Sequence, residues 1–207
     1  MTAKRTPEPP PSREEIQSLP SFSGLRLDQI SVIETAHAAQ MALAEMSLED
    51  CLGFDTESKP VFKKDQQSKG PHIVQFATAQ RAWIFHAHKS DTLPAVIQLL
   101  ASPQILKIGF GLKDDLIYIV RKFGVEPAGI VDLNHSFKHL GHKNTIGAKT
   151  AIAMLFGQKL AKSKKVTTSD WSRPILSDNQ ILYAANDAYA AIRVYRELQN
   201  RSALPTP

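Results

Sequence analysis

A mixed α/β fold, one β-sheet with helices packed around it, is the class this sequence predicts. Short apolar, β-branched runs cluster early in the chain, and helical patterns dominate later. Hydrophobic residues at 43% and charged residues at 22% lie close to the globular average, which excludes a fibrous or wholly disordered chain. A length of 207 residues is enough to bury a substantial core within one domain.

The chain opens with prolines at 7, 9, 10 and 11, which fix φ and remove donors without supplying core. Residues 1–20 are therefore expected as a disordered, proline-rich tail ahead of a domain over 21–207, with a lightly docked arm as the alternative. The charged start does not read as a secretory signal. Ile30–Glu34 is a β-branched first strand, Ala36–Met46 has the composition of a helix, and Cys51–Phe54 is a short buried strand leading into Asp55. Residues 58–71 (SKPVFKKDQQSKGP) carry four lysines with Gly and Pro and read as an exposed basic loop.

His72–Ala77 and Ala82–Phe85, separated by the turn-like Thr78–Arg81, suggest antiparallel pairing with the strand ending at Asp55. A helix over Thr92–Leu100, a strand over Ile105–Phe110 and a helix from Lys113 or Asp114 to Phe123 come next. Ile130–Asp132 is a short strand ahead of a mostly helical region whose clearest element is Ile146–Phe156. Residues 157–172 form a second lysine-rich, irregular stretch. Ser177 is a reasonable N-cap for a last helix running to about Arg201.

The net charge of +5 leans modestly toward a polyanionic partner, though a basic surface without a partner fits as well. Cys51 is the only cysteine, which excludes an internal disulfide framework and a cysteine-rich zinc site and suits a reducing, cytoplasmic setting. No apolar segment approaches the roughly twenty residues needed to span a bilayer.

Two acids end Leu52–Ser58 (LGFDTES). Side chains two apart in a strand share a face, so Asp55 and Glu57 converge if the strand continues through them. Carboxylates that close repel unless a proton or cation lies between them. Alone, the triplet reads as an ordinary solvated strand end. Asp115 lies in Lys107–Leu116 (KIGFGLKDDL), where a strand broken by Gly109 and Gly111 passes into a helix, and open sheets commonly place site residues at such carboxyl ends. One of Asp114 and Asp115 is expected only to complement the helix dipole. In Tyr183–Asp187 (YAAND) the phenol and carboxylate lie four apart, on one helical face. Tyr183 alone reads as a half-buried aromatic, but an acid within an alanine-rich, packed helix needs a partner. Four carboxylates meeting at one sheet edge make a hard-oxygen site suited to Mg²⁺ or Mn²⁺. No histidine pair has zincin spacing, so zinc is the poorer fit.

GFDTE, GFGLKDDL and YAANDAYAAIRVY resemble, in order, the three motifs of the DEDD group of 3′–5′ exonucleases. The tyrosine places the resemblance in the branch that includes ribonuclease D and the Werner-syndrome-type exonuclease domain. Ser169–Arg173 (SDWSR), followed by Gln180 and YAANDAYA, is especially similar to the Werner type, and the resemblance covers roughly residues 22–200. It implies a ribonuclease H-like mixed sheet flanked by helices, and an enzyme that uses two divalent cations to release nucleoside 5′-monophosphates from a free 3′ end of nucleic acid. Asp55 would bridge the two ions, Glu57 and Asp187 would complete the inner ligation, Asp115 would hold the second ion partly through water, and Tyr183 would orient the attacking water. Alignment on GxxxDL favours Asp115 and leaves Asp114 as the capping neighbour. The third motif tips the substrate slightly toward DNA, with RNA trimming or a catalytically weak nucleic-acid-binding module as alternatives.

Such chemistry explains acids in a basic chain: cations about 3.5–4 Å apart stabilise the entering and leaving oxygens of a phosphodiester. Lys59, Lys63, Lys64 and Lys69 on the first loop, with Lys159, Lys162, Lys164 and Lys165 on the second, are expected either as a positive rim for the phosphate backbone or as two solvated loops. Phe62 and Trp171 are candidates for stacking on terminal bases, although Trp171 reads first as a packing residue under the last helix.

Overall fold

The computed structural model describes residues 9–61 and 67–201. In chain order these form α1 (Arg13–Ser18), β1 (Ile30–Ile33), α2 (Ala36–Met46), β2 (Cys51–Glu57), β3 (Ile73–Ala77), β4 (Ala82–His86), α3 (Leu93–Ala101), β5 (Leu106–Gly109), α4 (Lys113–Phe123), β6 (Ile130–Asp132), α5 (Leu133–His139), α6 (Ala148–Phe156), α7 (Lys164–Thr167) and α8 (Asp178–Asn200). The strands make one sheet in the order β1-β4-β3-β2-β5-β6. The hairpins β2–β3 and β3–β4 are antiparallel, whereas β1–β4, β2–β5 and β5–β6 are parallel, so the sheet is mixed as expected.

Alternation along the strands sorts two cores. Leu52, Phe54, Val74, Phe76, Trp83 and Phe85 pack with α2, α3 and Ile119 of α4. Their alternates Cys51, Ile73, Ala77 and Ile84 pack on the other face against α8. With helices on both faces, β3 and β4 are buried at every position, which is why they read as continuous apolar runs. Phe54 and Phe76 stack at 5.5 Å between centroids, and burial of each ring stabilises by about 1.5–3 kcal/mol. Lys107 lies wholly buried in β5, where its ammonium donates to Ser102 O at 2.5 Å and Ile105 O at 2.8 Å, beyond the end of α3. Burial pushes that amine down to about 8.

Three expectations change. β2 continues through Thr56 and Glu57, so both acids of the first motif lie in the strand. The tail expected over 1–20 contains a helix in its described part: Ser12 caps α1 in a reciprocal pair with Glu15, and Ile16 is buried. Lys159 holds this segment, its N–H donating to Pro20 O and its ammonium to Gln17 O. The irregular 157–172 stretch includes the short α7.

α8 is the longest helix and crosses the sheet over β2. Ser177 and Gln180 form its reciprocal N-terminal cap. Gln180 also donates to Ser169 Oγ and Asp170 O, tying the preceding loop to the helix. Asn186 accepts from Leu25 N and donates to Leu25 O, docking the segment before β1. Among the described residues no helix is long and apolar enough to cross a membrane.

Candidate active site

A backbone contact between strand and helix assembles the site. A Cβ on Gly53 would lie 1.9 Å from Ala188 O, so glycine lets β2 and α8 touch. Asp55 stands two residues beyond Gly53 on the same face of β2, and Asp187 directly precedes Ala188. One carboxylate oxygen from each of Asp55, Glu57 and Asp187 then lies within 4.8 Å of the other two. Glu57 and Asp187 are only 9% and 7% exposed.

Asp115 arrives from the carboxyl end of β5. Gly111 turns there with φ +69°, in the left-handed region that favours glycine. The Asp132 carboxylate, at the end of neighbouring β6, accepts from Gly111 N at 2.9 Å and Leu112 N at 3.0 Å, which seats the start of α4. Asp115 accepts from the Thr56 hydroxyl and so is bound to β2, although it stands outside the oxygen triplet. Asp114 is exposed and lines a separate cleft with Tyr118 and Arg121. Of the two acids, Asp115 is thus the one bonded to the strand that carries Asp55 and Glu57. The N–H groups of Gly111 and Leu112, just ahead of the helix, go to Asp132, a residue the sequence did not single out, and Asp114 keeps only a place in the dipole-facing first turn.

Burial and mutual repulsion dominate the electrostatics. Asp55 is held well above the usual carboxylate range by burial, then by Asp187 and Asp115. Glu57 is pushed up to about 10 by burial, then by Asp55 and Asp187. Burial raises Asp187 and Asp115 too, against the opposing pull of Lys162 on the first and of the Thr56 hydroxyl on the second. Lys162 Nζ lies 2.7 Å from Asp187 Oδ2 and 5.7 Å from the centroid of the Tyr183 ring. The Tyr183 hydroxyl accepts from Thr167 Oγ1 at 2.9 Å, and burial followed by the Asp187 charge pushes the phenol up to about 12.

Carboxylates this close call for a cation, and the donor set is all hard oxygen, as Mg²⁺ and Mn²⁺ prefer. A divalent ion fits these residues.

A cleft of about 900 Å³ opens beside Tyr183 and Asp187, walled by Phe22, Leu25, the α7 segment and the start of α8. Lys165 and Arg173 line it. Lys164 is exposed on α7. Lys63 and Lys64, with Phe62, lie outside the described residues. Lys59 is paired with Asp170 at 3.0 Å. For Trp171 packing is realised and base stacking is not, and one expectation, for Lys162, is corrected. Trp171 is 0% exposed, its Nε1 donating to Thr167 O and its ring 5.9 Å from that of Tyr183, so it packs beneath α8 and offers no face to a base. Lys162, expected on the rim, is inside the acid cluster.

The family model for the 3′–5′ exonuclease matches residues 30–203. The chain belongs to this family. Within it, this exonuclease domain is 30% identical over 153 residues, 73% of the chain, to the bifunctional 3′–5′ exonuclease/ATP-dependent helicase WRN of Mus musculus. It is 27% identical over 171 residues, 82% of the chain, to ribonuclease D of Acidiphilium cryptum. The matched region is 11% of the first relative and 42% of the second, so the chain spans less than half of either. The Nibbler EXO domain of Aedes aegypti superposes with TM-score 0.71 at 19% identity, covering 87% of this chain and 94% of that one. Escherichia coli RNase D superposes with TM-score 0.71 at 19% identity, covering 85% and 47%. The ribonuclease H-like fold and the tyrosine-bearing exonuclease type implied by the three motifs are thereby shown, and the chain carries a 3′–5′ exonuclease domain of the WRN and ribonuclease D type.

Proposed function

We propose that the protein hydrolyses phosphodiester bonds from the 3′ end of a nucleic-acid strand, releasing nucleoside 5′-monophosphates, with two divalent cations held by Asp55, Glu57, Asp115 and Asp187. The observation that carries this is the convergence of three carboxylate oxygens within 4.8 Å, beside Tyr183. When bound, Mg²⁺ or Mn²⁺ supplies positive charge against the phosphoryl oxygens and lowers the pKa of water. Asp55 would be the shared ligand, as the resemblance of the three motifs implies, with Glu57 and Asp187 completing the inner set and Asp115, bonded to Thr56, acting from that side.

Tyr183 remains a phenol at neutral pH because its pKa lies near 12. It orients the attacking water through a hydrogen bond and does not take its proton. Thr167 occupies one side of the phenol oxygen and fixes its direction. Lys165 and Arg173 on the cleft wall draw the phosphate backbone, so binding weakens steeply with salt. DNA is the favoured substrate, on the Werner-type segment Ser169–Arg173 and the third motif. A ribonuclease D-type trimming activity on RNA is the second reading, supported by the ribonuclease D relatives. A cytoplasmic location goes with the single cysteine, Cys51, which is buried and unpaired.

Oligonucleotides labelled at the 3′ or the 5′ end, incubated with Mg²⁺ or Mn²⁺, test the reading. Matched DNA and RNA strands run in parallel separate the two substrates. The expected result is shortening from the 3′ end that is absent in an Asp55→Asn/Asp187→Asn double variant. Tight binding without shortening, or full activity in the double variant, refutes it.

A further inference from the structure

Lys162 brings a cation into the acid cluster from outside the regular elements of the fold. It lies between α6 and α7, in residues 160–163, which belong to neither helix nor strand. Its flexible stem nonetheless carries the ammonium onto Asp187 Oδ2 at 2.7 Å, leaving the Lys162 side chain 25% and that of Asp187 6% exposed. The oxygen it takes belongs to a carboxylate of the triplet that converges on Asp55 and Glu57. An ammonium at hydrogen-bond distance already neutralises part of the carboxylate's charge, and two cations brought to one carboxylate repel each other. Lysine suits exchange better than arginine here. It is a compact point charge on four rotatable carbons, without the two-bond grip of a guanidinium, and can leave a carboxylate without rearranging the backbone.

On the reading of the acids as a divalent-cation site, we propose that Lys162 is a placeholder cation: it competes with the metal ion for Asp187 and so sets the cation concentration at which the site fills. The lysine neutralises part of the buried acid cluster when no metal is bound and is displaced from Asp187 on loading. The four acids alone would bind divalent ions more tightly than the intact protein does. Coupling of this kind is reciprocal, so whatever the lysine adds to the stability of the unloaded protein is subtracted from metal affinity.

The test uses the full chain without substrate. Mn²⁺ binding is measured by calorimetry, and thermal midpoints are recorded in EDTA and in saturating Mn²⁺. Lys162→Met keeps the stem and removes the charge; it is expected to bind Mn²⁺ about fivefold or more tightly than wild type, the lower end of usual couplings. Its midpoint falls below wild type in EDTA, and the gap closes in Mn²⁺. Lys162→Gln, milder for folding because it keeps a donor for Asp187, is expected to shift Mn²⁺ affinity in the same direction. Unchanged or weaker Mn²⁺ binding in the variants, or an equal loss of midpoint with and without Mn²⁺, overturns the proposal and makes Lys162 a fixed structural partner that orients Asp187. Failure of the exonuclease reading shows separately, as a wild type that does not shorten 3′ ends with Mn²⁺. A wild type that shortens them while the variants bind Mn²⁺ no more tightly loses only the placeholder.

Discussion

Asp114 and Asp115 share the first turn of α4, yet only Asp115 turns to β2, where the Thr56 hydroxyl meets it. The two substitutions are expected to separate cleanly. Asp115→Asn lowers the rate of 3′ shortening by about 10–100-fold or more, the range for outer-shell partners of a metal site, and raises thermal stability because burial already disfavours its charged form. Asp114→Asn leaves the rate near wild type and costs about 0.3–1 kcal/mol of stability from the lost dipole interaction. Rates and denaturant midpoints of both proteins check this, and equal rate losses would remove Asp115 from the site. At this scale the sequence was legible wherever local periodicity carries the information. Asp55 with Glu57 and Tyr183 with Asp187 follow from periods of two and of nearly four. Lys162 was not legible, because a lysine in a lysine-rich run reads alike whether it is solvated or bonded to an acid 25 positions away.

Among the elements, the junction of β6, β5 and α4 shows how one side chain sets another's position. Asp132 accepts from Gly111 N, Leu112 N and Asn134 N, so a single carboxylate caps the approach to α4 and the start of α5. Asp132→Ala leaves those N–H groups without this acceptor and is expected to cost about 1–3 kcal/mol. Because α4 carries Asp115, the variant should also lose 3′-shortening rate while keeping nucleic-acid affinity. Chemical denaturation with a parallel activity assay reads both, and a stability loss without any rate loss would show that α4 holds its place by packing alone. Asp132 had a signal of its own, an acid directly after a short apolar run as Asp55 is, but the partner across the sheet edge depends on the β5–β6 pairing. α1 was overlooked because the prolines before it weigh toward disorder. The reciprocal Ser12–Glu15 cap and the buried Ile16 turn the balance once Lys159 is there to hold the segment. α7, with four residues, is too short to show a period.

For the whole molecule, the mixed sheet and the order of the three motifs were readable in the chain. The parallel placement of β1 beside β4, which follows from a long-range crossover, was not. What unites strand, helix and loop is a group of acids kept closer than solvent would allow, and this sets how global stability responds to pH. Asp55 and Glu57 have folded pKa values raised above their unfolded ones, to about 10 for Glu57. The folded protein thus binds more protons than the unfolded chain above the ordinary carboxylate range, and stability falls as pH rises through that window, by at most about 1.4 kcal/mol per pH unit for each proton. His72 and His86, lowered chiefly by burial, act oppositely at their own end: their contribution is lost as pH falls below the ordinary histidine value of 6.5. Lys107, lowered to about 8, adds stability as pH rises from there toward 10.5. Between about pH 6.5 and 8 the acids are therefore expected to dominate. In EDTA the thermal midpoint should decline across that interval. In saturating Mn²⁺, whose binding requires the deprotonated ligands, the decline should vanish or reverse. A midpoint that is flat or rising in EDTA would mean that the carboxylates are already ionised in the unloaded fold, with Lys162 and the surrounding dipoles sufficient to hold their charge.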